Sequence, residues 1–274
     1  MLGASRTSLA QARQRLSELS SSAGADLGTV SSDLLAVADL LATELPLRRA
    51  LADPSREAAA RQGLLAQLLG DKVAPASQAF LSDLVGSRWS RPRDLVDAVE
   101  TLAVLASFEQ ALADGGLDEV EDALFRFSRV VERESALREA LSDEGQPVAA
   151  RRGLLAGLLE GKVDPVALRV ISAAVGATHQ RRTVPETLDG FARLAAELRD
   201  RLNARVTTAV MLTEEQQSRM AAGLSRMFGK QIGLRIEVDP SLRGGLVVRV
   251  EGQILDASII RRLDVARRGL TAAR

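Results

Sequence analysis

Apolar residues in the first two thirds of the chain recur every three or four positions. Val30, Leu34, Val37 and Leu41 form one such stripe, and Val120, Leu124, Phe127 and Val131 form another. That spacing places each set on one face of a helix. The second stripe lies ninety residues after the first. At the same offset ARQGLLAQLLGDKVAP, from Ala60 to Pro75, becomes ARRGLLAGLLEGKVDP, from Ala150 to Pro165, with 11 of 16 positions identical. LRRALAD from Leu47 falls on LREALSD from Leu137, and Val85-Gly86 on Val175-Gly176. Each copy closes with a further helix, LVDAVETLA from Leu95 and TLDGFARLA from Thr187, where the register slips by two residues. A unit of about ninety residues exceeds the roughly 20 to 50 residue period of solenoids, so the pattern predicts two tandem helical bundles.

Local punctuation marks the helix ends. Leu9, Ala12, Leu16 and Leu19 make a narrow stripe on an N-terminal helix that can dock on a bundle. Asp53-Pro54 and Asp164-Pro165 read as N-caps followed by a first-turn proline, and Thr183 to Glu186 as a capping box. From Ser90 to Ala113 apolar positions Leu95, Val99, Leu102, Ala106 and Phe108 continue with little interruption. One long helix therefore closes the first bundle and opens the second, and Gly115-Gly116 ends it.

After Asn203 the period changes to two. Val206, Thr208 and Val210 alternate, as do Leu234, Ile236 and Val238, and then Leu246, Val248 and Val250, which predicts half-buried strands. Between the first two strands a capping box at Thr213 opens a helix to Phe228, with Met220, Leu224 and Met227 on one face. A hairpin at Gly252 and a last helix from Ile259 to Leu270 complete a β-α-β-β-α unit. The predicted fold is mainly α with a small α+β domain: a first helical bundle over 1–104, a second over 105–203 and an α/β domain over 204–274.

Composition narrows the possible functions. With 36 basic against 36 acidic residues in 274, the chain has no long-range field to recruit nucleic acid or an anionic membrane. Its lack of cysteine removes disulfides, thiolate metal sites and a cysteine nucleophile. No apolar run reaches the about 18 residues needed to span a bilayer. The Arg- and Ser-rich N-terminus superficially resembles a transit peptide, but its apolar stripe reads as a structural helix.

Candidate chemistry is mostly ruled out. GLLEGKV, Gly157 to Val163, has three residues between its glycines where a phosphate loop needs four, and Val163 replaces the hydroxyl that binds magnesium. It reads as a glycine-capped helix end. The single histidine, His179, mirrors Trp89 of the first copy, which marks both as amphipathic residues at a helix end rather than a catalytic group. Asp118, Glu119, Glu121 and Asp122 cluster where a helix begins, and Arg261-Arg262 with Arg267-Arg268 lie in the last helix, each complementing the helix dipole. Neither an enzyme nor a cofactor or metal site is expected.

One stretch is specific: GGLVVRVEGQILDASIIRRL, Gly244 to Leu263. Gly244-Gly245 permits a bend into a strand, Gly252 turns a hairpin, and Asp256 or Ser258 can cap the following helix. Gly244, Gly245, Arg249, Gly252, Asp256, Ser258 and Leu263 together resemble the C-terminal signature of the ATP synthase delta subunit family, which includes the mitochondrial oligomycin-sensitivity-conferring protein. The resemblance runs from about Leu105 to the C-terminus. The hundred or so residues before it are similar to the longer delta subunits of actinobacteria, as an internal duplication of the helical domain.

The resemblance implies a stator subunit, peripheral on the cytoplasmic face of the bacterial plasma membrane through its complex and without membrane insertion of its own. In the family the helical domain grips N-terminal segments of alpha subunits and the C-terminal domain holds the end of the b stalk. The alpha groove lies between the first and fifth bundle helices. By position this implies Phe108 and Leu112 with Leu168, Ile171 and Val175 in the second copy, the one expected to be the main alpha site. In the first copy it implies Leu9 to Leu19 with Phe80 to Val85. The competing reading is a cytosolic helical adaptor that binds amphipathic helices.

Overall fold

The computed structural model describes residues 1, 3–20, 25–143, 145–176, 183–228, 232–239, 242, 245–250 and 253–256. Among the described residues eleven α-helices come first: α1 Ala4–Ser20, α2 Leu27–Thr43, α3 Leu45–Ala52, α4 Ala58–Leu69, α5 Pro75–Gly86, α6 Pro92–Ala113, α7 Leu117–Arg133, α8 Ser135–Ser142, α9 Val148–Leu159, α10 Pro165–Ala173 and α11 Val184–Leu202. β1 Asn203–Thr208, α12 Glu214–Phe228, β2 Gly233–Val238, β3 Leu246–Val250 and β4 Gln253–Asp256 follow. The chain forms two compact units, Met1–Ala195 and Ala196–Arg274.

Within the first unit the duplication is literal. Helices α2, α3, α4 and α5 begin at Leu27, Leu45, Ala58 and Pro75, and α7, α8, α9 and α10 begin ninety residues later, at Leu117, Ser135, Val148 and Pro165. The two-residue slip appears in the flanking helices, since α6 starts at Pro92 and α11 at Val184. The same slip relates α1 to α6: Ala12, Leu16 and Leu19 fall on Val104, Phe108 and Ala111. Both apolar stripes, Val30 to Leu41 and Val120 to Val131, are buried. Each such side chain contributes on the order of 1.5–3 kcal/mol when removed from water.

Helix α6 serves both copies. Leu95, Val99, Leu102 and Ala106 join the core that α1 to α5 surround, and Val104, Phe108 and Ala111 are buried outside that cluster. It ends as expected: Gly115 takes φ +75°, its N–H reaches the Leu112 carbonyl at 3.2 Å, and the Gly116 N–H reaches Ala111 at 2.7 Å. This pair of bonds uses orphan carbonyls that only a left-handed residue lets the chain reach. Along its length α6 meets α2, where the Ser31 hydroxyl donates to the Ala103 carbonyl at 2.8 Å and lies 2.7 Å from the Ser107 hydroxyl.

One predicted helix start is corrected. Asp53 does not cap α4, whose N-cap is Glu57; it closes α3, and its carboxylate accepts the Ser55 N–H at 2.9 Å in a local turn. Asp143 does the same ninety residues later, accepting the Gly145 N–H at 2.9 Å. An aspartate that can satisfy an N–H two residues on has no need to start a helix. Asp164 does cap α10 through the Val166 N–H at 2.7 Å, and the Thr183–Glu186 and Thr213–Gln216 boxes both close reciprocally.

The second unit carries a four-stranded sheet in the order β2-β1-β3-β4. β1 and β2 are parallel, which requires the crossover that α12 supplies, while β3 is antiparallel to both β1 and β4. Ala204, Val206, Leu224, Ile232, Val248 and Val250 form its core. Three details differ from the sequence reading. β1 ends at Thr208, whose hydroxyl donates to the Val210 carbonyl at 2.9 Å, so Val210 leaves the sheet and is 68% exposed. On α12 Met227 is 67% exposed and Phe228 takes the core position, four residues after Leu224. Gln253–Asp256 forms a fourth strand. The expected turn at Gly252 and the helix from Ile259 to Leu270 lie outside the described residues.

Candidate interaction surfaces

The second-copy groove residues divide by depth. Phe108 and Ile171 are 0% exposed and Val175 1%, whereas Leu112 and Leu168 are half-buried. Helix α10 packs on α6, and Arg169 Nη1 donates to Gln110 Oε1 at 3.0 Å. Helix α2 meets the same two residues: a Cβ on Gly28 would stand 3.0 Å from Gln110 Oε1 and 3.3 Å from Arg169 Nη2. Burial among these helices pulls the Arg169 pKa below its ordinary value, opposed by the charges of Asp26 and Asp164. At the other end of α2, Asp39 pairs with Arg152 of α9, which also donates Nε to the Ser172 carbonyl at 3.1 Å. A Cβ on Gly176 would meet Asp39 Oδ1 at 3.0 Å.

Sequence reasoning missed all of these polar contacts between the copies. The available signal was the small residues Gly28 and Ser31 near the start of α2, which leave room for another helix to approach closely.

Helices α1 and α5 show a different surface. Ala12, Leu16, Phe80, Leu81, Leu84 and Val85 are buried between them and the core, while Arg15 and Asp83 join the two helices at 3.3 Å in the open. The base of α1 is fixed by a buried network: Ser5 donates to Asp94 Oδ2 at 2.8 Å and accepts the Ser90 N–H at 2.8 Å, and Arg91 reaches the other Asp94 oxygen at 2.9 Å. Trp89 packs as expected, 3% exposed with its indole N–H on the Leu84 carbonyl at 2.8 Å. His179 lies outside the described residues.

In the signature stretch Gly245 has φ +81°, a left-handed backbone that explains glycine there. Arg249 is exposed on β3, opposite Arg205 of β1 and Ile254 of β4, while Val248 and Val250 beside it point into the core. Asp256 ends β4 opposite Val247. Gly244, Gly252, Ser258 and Leu263 lie outside the described residues.

The former phosphate-loop candidate is a helix end. Helix α9 stops at Leu159, Gly161 has φ +71°, and the Lys162 N–H returns to the Leu159 carbonyl at 2.9 Å. Among the described residues no cluster of His, Cys, Asp and Glu could hold a metal ion, and no helix is long and apolar enough to cross a membrane.

Two helical copies fused through one helix, with Ser31, Gly28 and Asp39 of the first seated on Ser107, Gln110, Arg169 and Arg152, form one continuous helical unit. The family model for the ATP synthase delta (OSCP) subunit matches residues 103–270. An ATP synthase subunit delta of Frankia casuarinae is 45% identical, covering 98% of this chain and 99% of its own length. Those of Streptomyces griseus and Thermobifida fusca are each 42% identical over 98% of this chain and cover 98% and 99% of their own. The chain belongs to the ATP synthase delta (OSCP) subunit family, as a non-catalytic subunit of the peripheral stalk. The actinobacterial relatives span both helical copies, while the family model begins within α6, where the second copy starts.

Proposed function

We propose that this subunit ties the alpha subunits of the catalytic head to the b subunit of the stalk, on the cytoplasmic face of the bacterial plasma membrane. The observation that carries the reading is the pairing of a helical unit, Met1–Ala195, with a separate sheet unit, Ala196–Arg274. The helical unit takes N-terminal segments of alpha as amphipathic helices laid between its first and fifth helices, a recognition mode that reuses ordinary helix packing. Phe108 and Leu112 on α6 and Leu168 and Ile171 on α10 belong to that helix pair in the second copy, with Val175 just past the end of α10. The sheet unit, with the signature residues around Gly245 and Arg249, holds the end of b. Modest contacts at two ends of one chain gain avidity against rotational load. Residues 1–104 and 105–203 act as two bundles sharing α6, and 204–274 as the third module. A crosslinking map of the intact ATP synthase tests this: alpha should link to 1–203 and b to 204–274. Alpha links confined to 204–274, or b links confined to the helices, overturn it.

A further inference from the structure

The groove between first and fifth helices is built twice in this chain, and the two versions differ in what covers them. With α1 matched to α6 at an offset of ninety-two and α5 to α10 at ninety, Arg15 and Glu18 correspond to Ser107 and Gln110, and Ala79 and Asp83 to Arg169 and Ala173. In the second copy Ser107 and Ala173 are buried and Gln110 and Arg169 half-buried, whereas all four first-copy counterparts are exposed. Helix α2 accounts for much of the difference. It seats Ser31 on Ala103 and Ser107, brings Gly28 against Gln110 and Arg169, and packs on both α6 and α10. Gly28 and Ser31 are small, which lets one helix lie deep between two others. On the adjoining face Val30, Leu34, Val37 and Leu41 are buried in the first copy's core. Helix α2 therefore cannot leave the groove without opening that core.

We infer that the second copy's groove is filled permanently by α2 of the first copy, and that the groove between α1 and α5 is the one open to a partner helix. The occupant is the amphipathic N-terminal segment of alpha, so the inference rests on the alpha-capture reading above. This groove has exposed alanines, Ala76 and Ala79, along α5, and is crossed by the exposed Arg15–Asp83 pair with Glu18 beside it, an ion pair that a partner helix displaces at little cost. It fits a helix with a narrow apolar stripe flanked by acidic and basic residues. The duplication then has a physical role: the added bundle closes the old site and presents an equivalent one at the front of the chain.

The test uses the full chain and a synthetic peptide of the alpha N-terminal segment. Because the chain has no cysteine, Ser31→Cys with Ser107→Cys creates a single possible disulfide where two hydroxyl oxygens now lie 2.7 Å apart, clamping α2 onto α6. The clamped and reduced forms should bind the peptide within about two-fold of each other, while Ala79→Trp should weaken binding at least about ten-fold and Arg169→Ala should leave it within about two-fold. Circular dichroism confirms that the exposed Ala79→Trp variant remains folded. Binding lost on clamping and regained on reduction would show the peptide displacing α2 and would overturn the inference, as would an Ala79→Trp variant that binds normally. Failure of the disulfide to form in the folded chain overturns the seat of α2. An unmodified chain that binds no peptide overturns alpha capture itself, which the clamp does not test.

Discussion

The first and second helical copies keep the same buried stripe and solve the same local problems with different residues. Val30, Leu34, Val37 and Leu41 and their counterparts are buried alike, since both copies must exclude water from an equivalent core. Polar support diverges. Helix α10 is capped by its own Asp164, whereas the matching Ala74 has no side-chain acceptor, and its N–H is taken at 2.9 Å by Asp33 of α2. Gln62 donates to the Ser82 carbonyl at 3.1 Å, and at the equivalent place Arg152 donates to Ser172 and extends to Asp39 of the first copy. Even the left-handed residue after the fourth helix shifts: Gly70 has φ +47° in the first copy, and Gly161, one position later in register, has φ +71° in the second. What the duplication preserves is the requirement for burial. The residues that joined two formerly equivalent surfaces were free to change.

The comparison breaks most readily in the core. Leu34 and Leu124 occupy matching positions, 0% and 1% exposed. Replacing either with Ala removes buried methyl groups and leaves a cavity, at about 2–5 kcal/mol. Because α6 contributes to both cores, each variant is expected to unfold in a single urea transition shifted to lower denaturant. Two separate transitions, one displaced and one unchanged, would show that the copies are energetically independent and that the shared helix does not couple them.

A smaller effect isolates the joint. Arg152→Gln recreates the first copy's residue, keeping a donor for the Ser172 carbonyl while deleting the charge that reaches Asp39. The Arg152 and Asp39 side chains are 30% and 21% exposed, partly shielded from solvent screening. The expected loss is about 1 kcal/mol. A double-mutant cycle with Asp39→Asn should return most of that as coupling energy. Equal losses from Arg152→Gln with and without Asp39 would mean the pair contributes nothing across the copies.

These contrasts also explain how much was legible in the sequence. Features whose physics is local could be read: the apolar stripes, the capping boxes at Thr183 and Thr213, the Asp164 cap and the glycine stop after α6 each need only a few consecutive residues. The residues that join helices distant in sequence could not. Asp33 serves Ala74 across 41 residues, Ser5 serves Asp94 across 89, and Arg152 meets Asp39 across 113. Buried Arg61 shows the same limit: it sits inside the duplicated segment, yet its role is to donate to the Val85, Gly86 and Ser87 carbonyls at the end of α5. Within the groove, helical spacing identified Phe108 and Ile171 as apolar positions but could not say which helix would lie over them. The Asp53 and Met227 misreadings have a related cause, since each was one of two locally acceptable choices that tertiary packing decided.

The smallest expected effect separates the N-termini of α2 and α7. Helix α2 is capped by Asp26, whose carboxylate accepts the Thr29 N–H at 3.0 Å and the Thr29 hydroxyl at 2.6 Å. Its counterpart before α7 is Gly116, which has no side chain to cap with. The hydroxyl of Thr29, followed by its N–H, holds the Asp26 pKa below the ordinary carboxylate value. A folded-state pKa lowered in this way contributes stability that is present above the unfolded value, about 4, and is lost as pH falls through the folded one. Asp26→Asn keeps an oxygen acceptor at the cap and removes the titration. Wild type should therefore be the more stable of the two at neutral pH, with the difference shrinking as the medium is acidified below the ordinary carboxylate range. Urea midpoints for the two proteins across a pH series test this, since the other carboxylates titrate equally in both and cancel in the difference. Parallel curves would mean that the charge on Asp26 adds nothing to the cap, and that a neutral oxygen acceptor there serves this helix start equally well.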